Sequence, residues 1–222
     1  MNRRDELLTV EIWADVVCPW CYLGKLNWTA ALERFPHAEQ VRTVWRSFEL
    51  RPGLPPGQGD KLVDIMRRDW GMPESEIESV FDRIRSGGAA GNVVLRPEQV
   101  RPVNTFDMHR LLHSARESGH EDVLLNLLMH AYHAEGADLS DHGVLRRLAV
   151  EAGCDGGAAA ALLAGDQYAD QVRLDESRAS DVGVTAVPSY RFGSDRAVSG
   201  ALSAAELLSL LQEQWQRTAT VS

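Results

Sequence analysis

Over about residues 8 to 17 the chain opens on a β-branched, partly alternating stretch, which predicts a strand. From Pro19 to about Arg34 the period lengthens, and Leu23, Leu26, Ala30 and Ala31 fall on one helical face. Pro19 suits the first turn of that helix, where the N–H it lacks has no intrahelical partner. Alternation returns from Val41 to Phe48, with Val41, Thr43 and Trp45 on one face and Val44 and Phe48 on the other. The run from Arg51 to Gly59 is dense in Pro and Gly, so it breaks regular structure and marks the exit from a β-α-β unit.

From Lys61 to about Gly165 the pattern is helical, with interruptions expected at Gly71-Met72-Pro73, Ser86 to Gly91 and Arg96-Pro97. Asn104 is placed to cap a helix carrying Phe106, Leu111, Leu112 and Ala115, with Asp107 in the first turn to complement the helix dipole. That helix should end near Gly119. A second stripe follows in Leu124, Leu127, Leu128, Ala131 and Tyr132. Ser140 or Asp141 opens a third helix through Leu145, Leu148 and Ala149, and residues 158–164 form a short fourth. After Gly183 the strand period reappears in Val187 to Phe192, a turn at Gly193-Ser194-Asp195 and Ala197 to Ser199. A helix from about Ser203 carries Leu207, Leu208, Leu210 and Leu211. The order β-α-β, helices, β-β-α predicts an α/β fold interrupted by an all-helical insertion. Residues 1–56 and 166–222 form one domain and 57–165 the insertion.

At 222 residues the chain can bury a substantial core without disulfide staples. Its net charge of −9 is spread along the sequence, which argues against nucleic acid as a partner. The short basic pairs Arg67-Arg68 and Arg146-Arg147 read as solvated helix faces. No apolar run approaches the roughly 20 residues that cross a bilayer, so no membrane partner is expected. Met1 to Glu6 lead into a mixed segment rather than a secretory apolar core, so the expected compartment is the cytoplasm.

The chemistry concentrates in Cys18-Pro19-Trp20-Cys21, at the junction between the first strand and its helix. A thiol attacks as the thiolate, and at Cys18 the unpaired N–H groups and positive dipole of the following helix favour the anion. Cys18 is therefore the expected nucleophile. Cys21, one turn inside the helix, is expected to be more buried and to resolve the mixed disulfide by attacking the Cys18 sulfur. Pro19 shapes the first turn, and Trp20 shields one side of the sulfur pair. The competing reading of a lone C-x-x-C is half a zinc site, but no second such pair exists to complete four ligands. Cys154 would join only by long-range folding, and the pairs His109/His113 and His130/His133 have spacings ordinary for helices. Neither a metal nor a cofactor is expected, and Cys154 should simply pack.

In this order, Asp15 to Lys25, Trp45 to Leu50, Asn104 to Leu111, Gly183-Val184 with Val187-Pro188, and Val198 to Ala201 resemble the DsbA family of thioredoxin-fold oxidoreductases. The resemblance is closest to the FrnE-like branch. It implies a thioredoxin fold and a dithiol–disulfide active site acting on a protein or small thiol. It also implies that the Val187-Pro188 bond is cis, that Pro188 faces the cysteines, and that the Val187 backbone is free to pair with an extended substrate. Asn104 and His109 should lie on the insertion helix nearest the active-site cleft, as substrate-binding residues. Two positions depart from the pattern. Ala186-Val187-Pro188-Ser189-Tyr190 stands where relatives often read Gly-Val-Pro-Phe-Phe, and Ser47 stands where proline is common. An alternative is a glutathione-dependent isomerase or transferase acting on a small aromatic compound, related to 2-hydroxychromene-2-carboxylate isomerase. Those relatives generally carry serine at the first cysteine position. A third reading is a non-catalytic module that binds a peptide or metal between the domains. The oligomeric state is left open.

Overall fold

The computed structural model describes residues 7–220. Four strands form one sheet in the order β2-β1-β3-β4: β1 (Leu8–Ala14), β2 (Val41–Ser47), β3 (Ser189–Phe192) and β4 (Val198–Ser199). β1 runs parallel to β2 and antiparallel to β3, pairing Ile12 with Trp45 on one side and Tyr190 on the other. A strand covered on both faces needs apolar residues at successive positions. This explains why Val10, Ile12, Trp13 and Ala14 are all buried where alternation is only partial in the sequence.

The helix α1 (Pro19–Arg34) crosses from β1 to β2 and packs on the last helix, α9 (Ala204–Thr220). Ser203 and Glu206 start α9 with a reciprocal cap: the Ser203 N–H donates to Glu206 Oε2 (2.8 Å) and the Glu206 N–H to Ser203 Oγ (3.3 Å). Trp215 stacks on His37 and meets Phe35 edge-on, so this end of α9 packs internally.

Between β2 and β3 lie α2 (Leu62–Arg68), α3 (Glu74–Ala90), α4 (Phe106–Glu117), α5 (Glu121–His130), α6 (His142–Glu151), α7 (Gly156–Ala164) and α8 (Ala169–Asp181). The result is the expected α/β fold with a helical insertion. One hydrophobic core runs through both parts, joining Ile12, Tyr22 and Trp28 to Phe81, Met108 and Leu128. Each fully buried aliphatic side chain of this kind contributes about 1.5–3 kcal/mol. Among the described residues no helix is long and apolar enough to cross a membrane.

Five local expectations need correction. β1 stops at Ala14 rather than near residue 17, because the Asp15 side chain accepts the N–H groups of Leu50 (2.7 Å) and Val17 (3.5 Å) and turns the chain. β3 starts at Ser189, after the Val187–Pro188 bond, and not at Val187. α3 continues through the glycine-rich stretch that was expected to break it. A Cβ on Gly87 would sit 2.5 Å from Leu23 Cδ1, so this glycine serves a close approach to α1. The stripe ending in Ala131 and Tyr132 leaves α-helical geometry after His130, continuing as a π-helical turn, Ala131–Glu135, that ends at Gly136 with φ 70°. Finally α8 has no counterpart in the pattern reading; it is mostly polar and buries only Val172, Asp175 and Ala179.

Candidate active site

The end of β1 and the start of α1 deliver both cysteines to one point. Cys18 has extended backbone geometry, and its carbonyl accepts the N–H groups of Cys21 (3.0 Å) and Tyr22 (3.2 Å). It is therefore the N-cap, with Pro19 opening the helix behind it. Both thiols are free in this structure, and Cys21 is the more deeply buried, 1% exposed against 4% for Cys18.

Their electrostatics diverge. The Cys21 thiol donates a hydrogen bond that holds the Cys18 thiol below its ordinary value; burial and the Asp15 charge oppose this, while the Cys21 and Trp20 backbone N–H groups add to it. Burial pushes the Cys21 thiol well up, reinforced by its hydrogen bond to Cys18 and by the charges of Cys18 and Asp15. One thiol is thus eased towards the thiolate while its neighbour is held as the thiol.

The Val187–Pro188 peptide is cis, and the Cys18 thiol points at the Val187 carbonyl oxygen, 3.9 Å away. Pro188 packs close to Gly24 of α1, where a Cβ would stand 3.1 Å from Pro188 Cγ and 2.4 Å from the Tyr190 hydroxyl. That hydroxyl is buried without a hydrogen-bond partner and feels the charges of Cys21 and Cys18. Trp20 is half-buried at the rim, with the Arg83 guanidinium 5.6 Å from its ring centroid.

Beneath the turn, His133 Nε2 lies 3.0 Å from the Val16 carbonyl oxygen. Burial lowers His133 to about 4 despite that bond, so near neutral pH it is an uncharged donor. Asp15 is fully buried, and its main-chain oxygen accepts the Cys18 N–H (3.2 Å).

The two insertion residues lie at the start of α4. Asn104 is one residue before the N-cap, Thr105; its Oδ1 accepts the Phe106 N–H (2.9 Å), and its Nδ2 donates to the Leu54 carbonyl (3.0 Å). It ties the start of α4 to the loop after β2. His109 is buried, with Nε2 3.5 Å from Asp15 Oδ1. The space on its other side, shared with Ser47, Trp45 and His113, is about 10 Å³, room for roughly one water. His109 thus meets the Asp15 carboxylate from within the core.

Pattern reading assigned no role to Asp15 or Glu49. The available signal was a carboxylate between apolar neighbours, just past the C-terminal end of each of the parallel strands β1 and β2. Cys154 lies in the loop after α6, its thiol raised by burial. Among the described residues no cluster of three or more His, Cys, Asp or Glu is arranged to hold a metal.

The chain is similar to a solved structure of a probable DsbA oxidoreductase from Streptomyces coelicolor, 36% identical, covering 94% of this chain and 90% of that one, with a TM-score of 0.90. The uncharacterised protein YwbO of Bacillus subtilis (strain 168) is 29% identical over 86% of this chain and 90% of its own. A 2-hydroxychromene-2-carboxylate isomerase structure shares the fold at 14% identity and a TM-score of 0.70, covering 96% of this chain and 99% of its own. That last likeness speaks for the fold alone, whereas the paired cysteines and the proline loop facing them speak for a narrower group. With residues 9–212 matching its model, the chain belongs to the DSBA-like thioredoxin domain family.

Proposed function

We propose that the protein is a thiol–disulfide oxidoreductase that cycles Cys18 and Cys21 through a mixed disulfide. The observation that carries this reading is the placement of both cysteines at the start of α1, with Cys18 as its N-cap and the Cys18 sulfur 3.9 Å from the Val187 carbonyl oxygen beside Pro188. In the reductive direction the Cys18 thiolate attacks one sulfur of a substrate disulfide, and the released substrate thiolate takes a proton. Cys21 then loses its proton and attacks Cys18 Sγ, closing the protein disulfide and freeing the second substrate thiol. A reduced thiol donor restores the pair; the opposite direction runs the same steps backwards.

An extended segment of a protein substrate, or a small thiol, would lie along the proline loop and pair with the Val187 backbone. Pro188 and Trp20 bound the sulfur pair, and Asn104 fixes the loop beyond Leu50. We assign the chain to the FrnE-like branch on its ordered motifs, with a small aromatic substrate as a further possibility of that branch. We place it in the cytoplasm, since a chain of 222 residues with three cysteines needs no disulfide staples. The glutathione-dependent isomerase reading needs only the first cysteine position; retention of both Cys18 and Cys21 favours redox exchange.

Insulin reduction by dithiothreitol, followed beside Cys18→Ser, tests the proposal. Acceleration by the wild type and none by the variant is expected; equal rates refute it. Full turnover by Cys21→Ala with glutathione would support the isomerase reading instead.

A further inference from the structure

α3 passes beside the start of α1 and brings one arginine to the rim of the cysteine pair. The close approach is made at Gly87, where a Cβ would meet Leu23. One turn earlier on α3, the Arg83 guanidinium lies over the ring of Trp20, 5.6 Å from its centroid. Trp20 stands between the two cysteines in the chain, so the cation flanks the entrance to the attacking sulfur.

The carboxylates nearby do not neutralise this charge. Glu78 and Asp82, which line the same open depression along α3 as Arg83, are bound by Arg85 at 2.9 and 2.8 Å. Arg83 is exposed, and among the described residues it has no ion pair or hydrogen bond; the Trp20 ring is what holds it. Ser75, Ser79 and Ser86 line the rest of the depression and add neutral hydroxyl donors. Past Cys21 the sign is opposite: the charge of Glu135 acts on Tyr22, and Glu135 Oε1 lies 3.7 Å from His130 Nε2.

A guanidinium over an indole is attracted through its face, and the N–H donors at its edge stay available for the two oxygens of a carboxylate. The ring also fixes the side chain, so less freedom is lost when an anion docks. The chain as a whole carries a charge of −9, which repels anions at long range. An uncompensated cation beside Cys18 therefore marks the place where an anion is received.

We propose that Arg83 is a specificity residue that receives the carboxylate of a small acidic disulfide and sets its sulfur before Cys18. The proposal rests on the redox reading and names the substrate class of that site. With the carboxylate against the guanidinium, the Cys18 thiolate forms a bond to the nearer substrate sulfur. The substrate S–S bond breaks, and the far sulfur leaves with the electron pair and takes a proton from water. Cys21 then displaces the held half, its own proton balancing the departing thiolate, so one protein disulfide and two acidic thiols result.

Three small aliphatic disulfides that differ in charge test the proposal: 3,3′-dithiodipropionate with two carboxylates, neutral bis(2-hydroxyethyl) disulfide, and cystamine with two ammonium groups. Each is mixed with reduced protein, the reaction is stopped with acid, and the loss of free thiols is followed by mass spectrometry. Arg83→Gln should slow oxidation by dithiodipropionate about three- to fivefold and change the rate with the neutral disulfide by less than about 1.5-fold. Arg83→Glu should slow the dianion further and speed cystamine, whereas Arg83→Lys should stay within about twofold of the wild type with the dianion. Raising the salt to about 0.5 M should shrink the gap between wild type and Arg83→Gln. Equal changes with all three disulfides, or no change with the dianion, overturn the proposal. A wild type that none of the three oxidises faster than Cys18→Ser refutes the redox reading itself.

Discussion

Two sets of buried polar groups lie along β1 and the turn that follows it, and they are finished to different degrees. At Glu11, both carboxylate oxygens are taken: Oε1 by Arg46 (2.6 and 3.0 Å) and Arg178 (2.7 Å), Oε2 by Arg178 (2.8 Å) and Arg191 (3.0 Å). Asp175 of α8 completes the lattice, accepting from Arg46 Nη1 (2.8 Å) and the Ser47 N–H (3.0 Å), with His113 Nε2 3.2 Å away. Around Cys18 and Cys21, by contrast, the Tyr190 hydroxyl, His109 Nε2 and Glu49 Oε1 are buried without partners. Saturated charge holds α8 to the sheet, whereas incomplete pairing is found in the Tyr190 hydroxyl beside the proline loop and in the pair of groups nearest Asp15.

The contrast predicts that damage to one side costs activity and damage to the other costs stability. The largest effect is Cys18→Ser, which should bring insulin reduction down to the uncatalysed rate while leaving the urea midpoint unchanged. A surviving catalytic rate would break the comparison at once. Glu11→Gln should do the reverse. It leaves three arginines facing a neutral amide, at a cost of about 3–5 kcal/mol in urea unfolding, yet the Cys18 alkylation rate should hold.

Acid separates the two sides by window. Burial would raise Glu11, but Arg178, Arg46 and Arg191 together bring it down from 4.5 to about 2. The unfolded chain therefore takes up that proton first, and stability falls as pH drops from about 4.5 towards 2, by about 3 kcal/mol. Burial lowers His133 from 6.5 to about 4, so the unfolded chain again protonates first. This loss lies between about pH 6.5 and 4 and is also about 3 kcal/mol. His133→Gln should flatten the upper window of the stability profile and leave the lower one in place.

A smaller effect probes the close approach at the proline loop. Gly24→Ala places a methyl against the Tyr190 hydroxyl and should cost about 1–3 kcal/mol. Tyr190→Phe removes an unpaired buried hydroxyl and should change stability by less than about 1 kcal/mol. Combined, the two should recover much of the Gly24→Ala loss in a double-mutant cycle of urea midpoints. Strict additivity would show that the hydroxyl is not what Gly24 makes room for.

The redox pair was legible because its chemistry is local: two cysteines, a proline and a helix start lie within four residues. The sheet and most helices were legible for a similar reason, since a face buried against one neighbour leaves a period in the sequence. α8 left none. It is held by the ion pairs of Asp175 and Arg178, and polar residues that face a buried charge look like polar residues that face water. Gly87 read as a breaker because its role, admitting Leu23, depends on a helix far away in the chain. Likewise the resemblance brought His109 to the neighbourhood of the cysteines, but only the path of α4 shows that its ring meets the Asp15 carboxylate.

The most direct test follows alkylation of reduced protein by iodoacetamide across pH, with the modified residue identified by mass spectrometry. Cys18 should react first, with its rate rising well below the ordinary thiol value of about 8.5, while Cys21 stays unmodified until far higher pH. Cys18 titrating at or above 8.5, or both cysteines reacting at equal rates, would contradict the asymmetric pair.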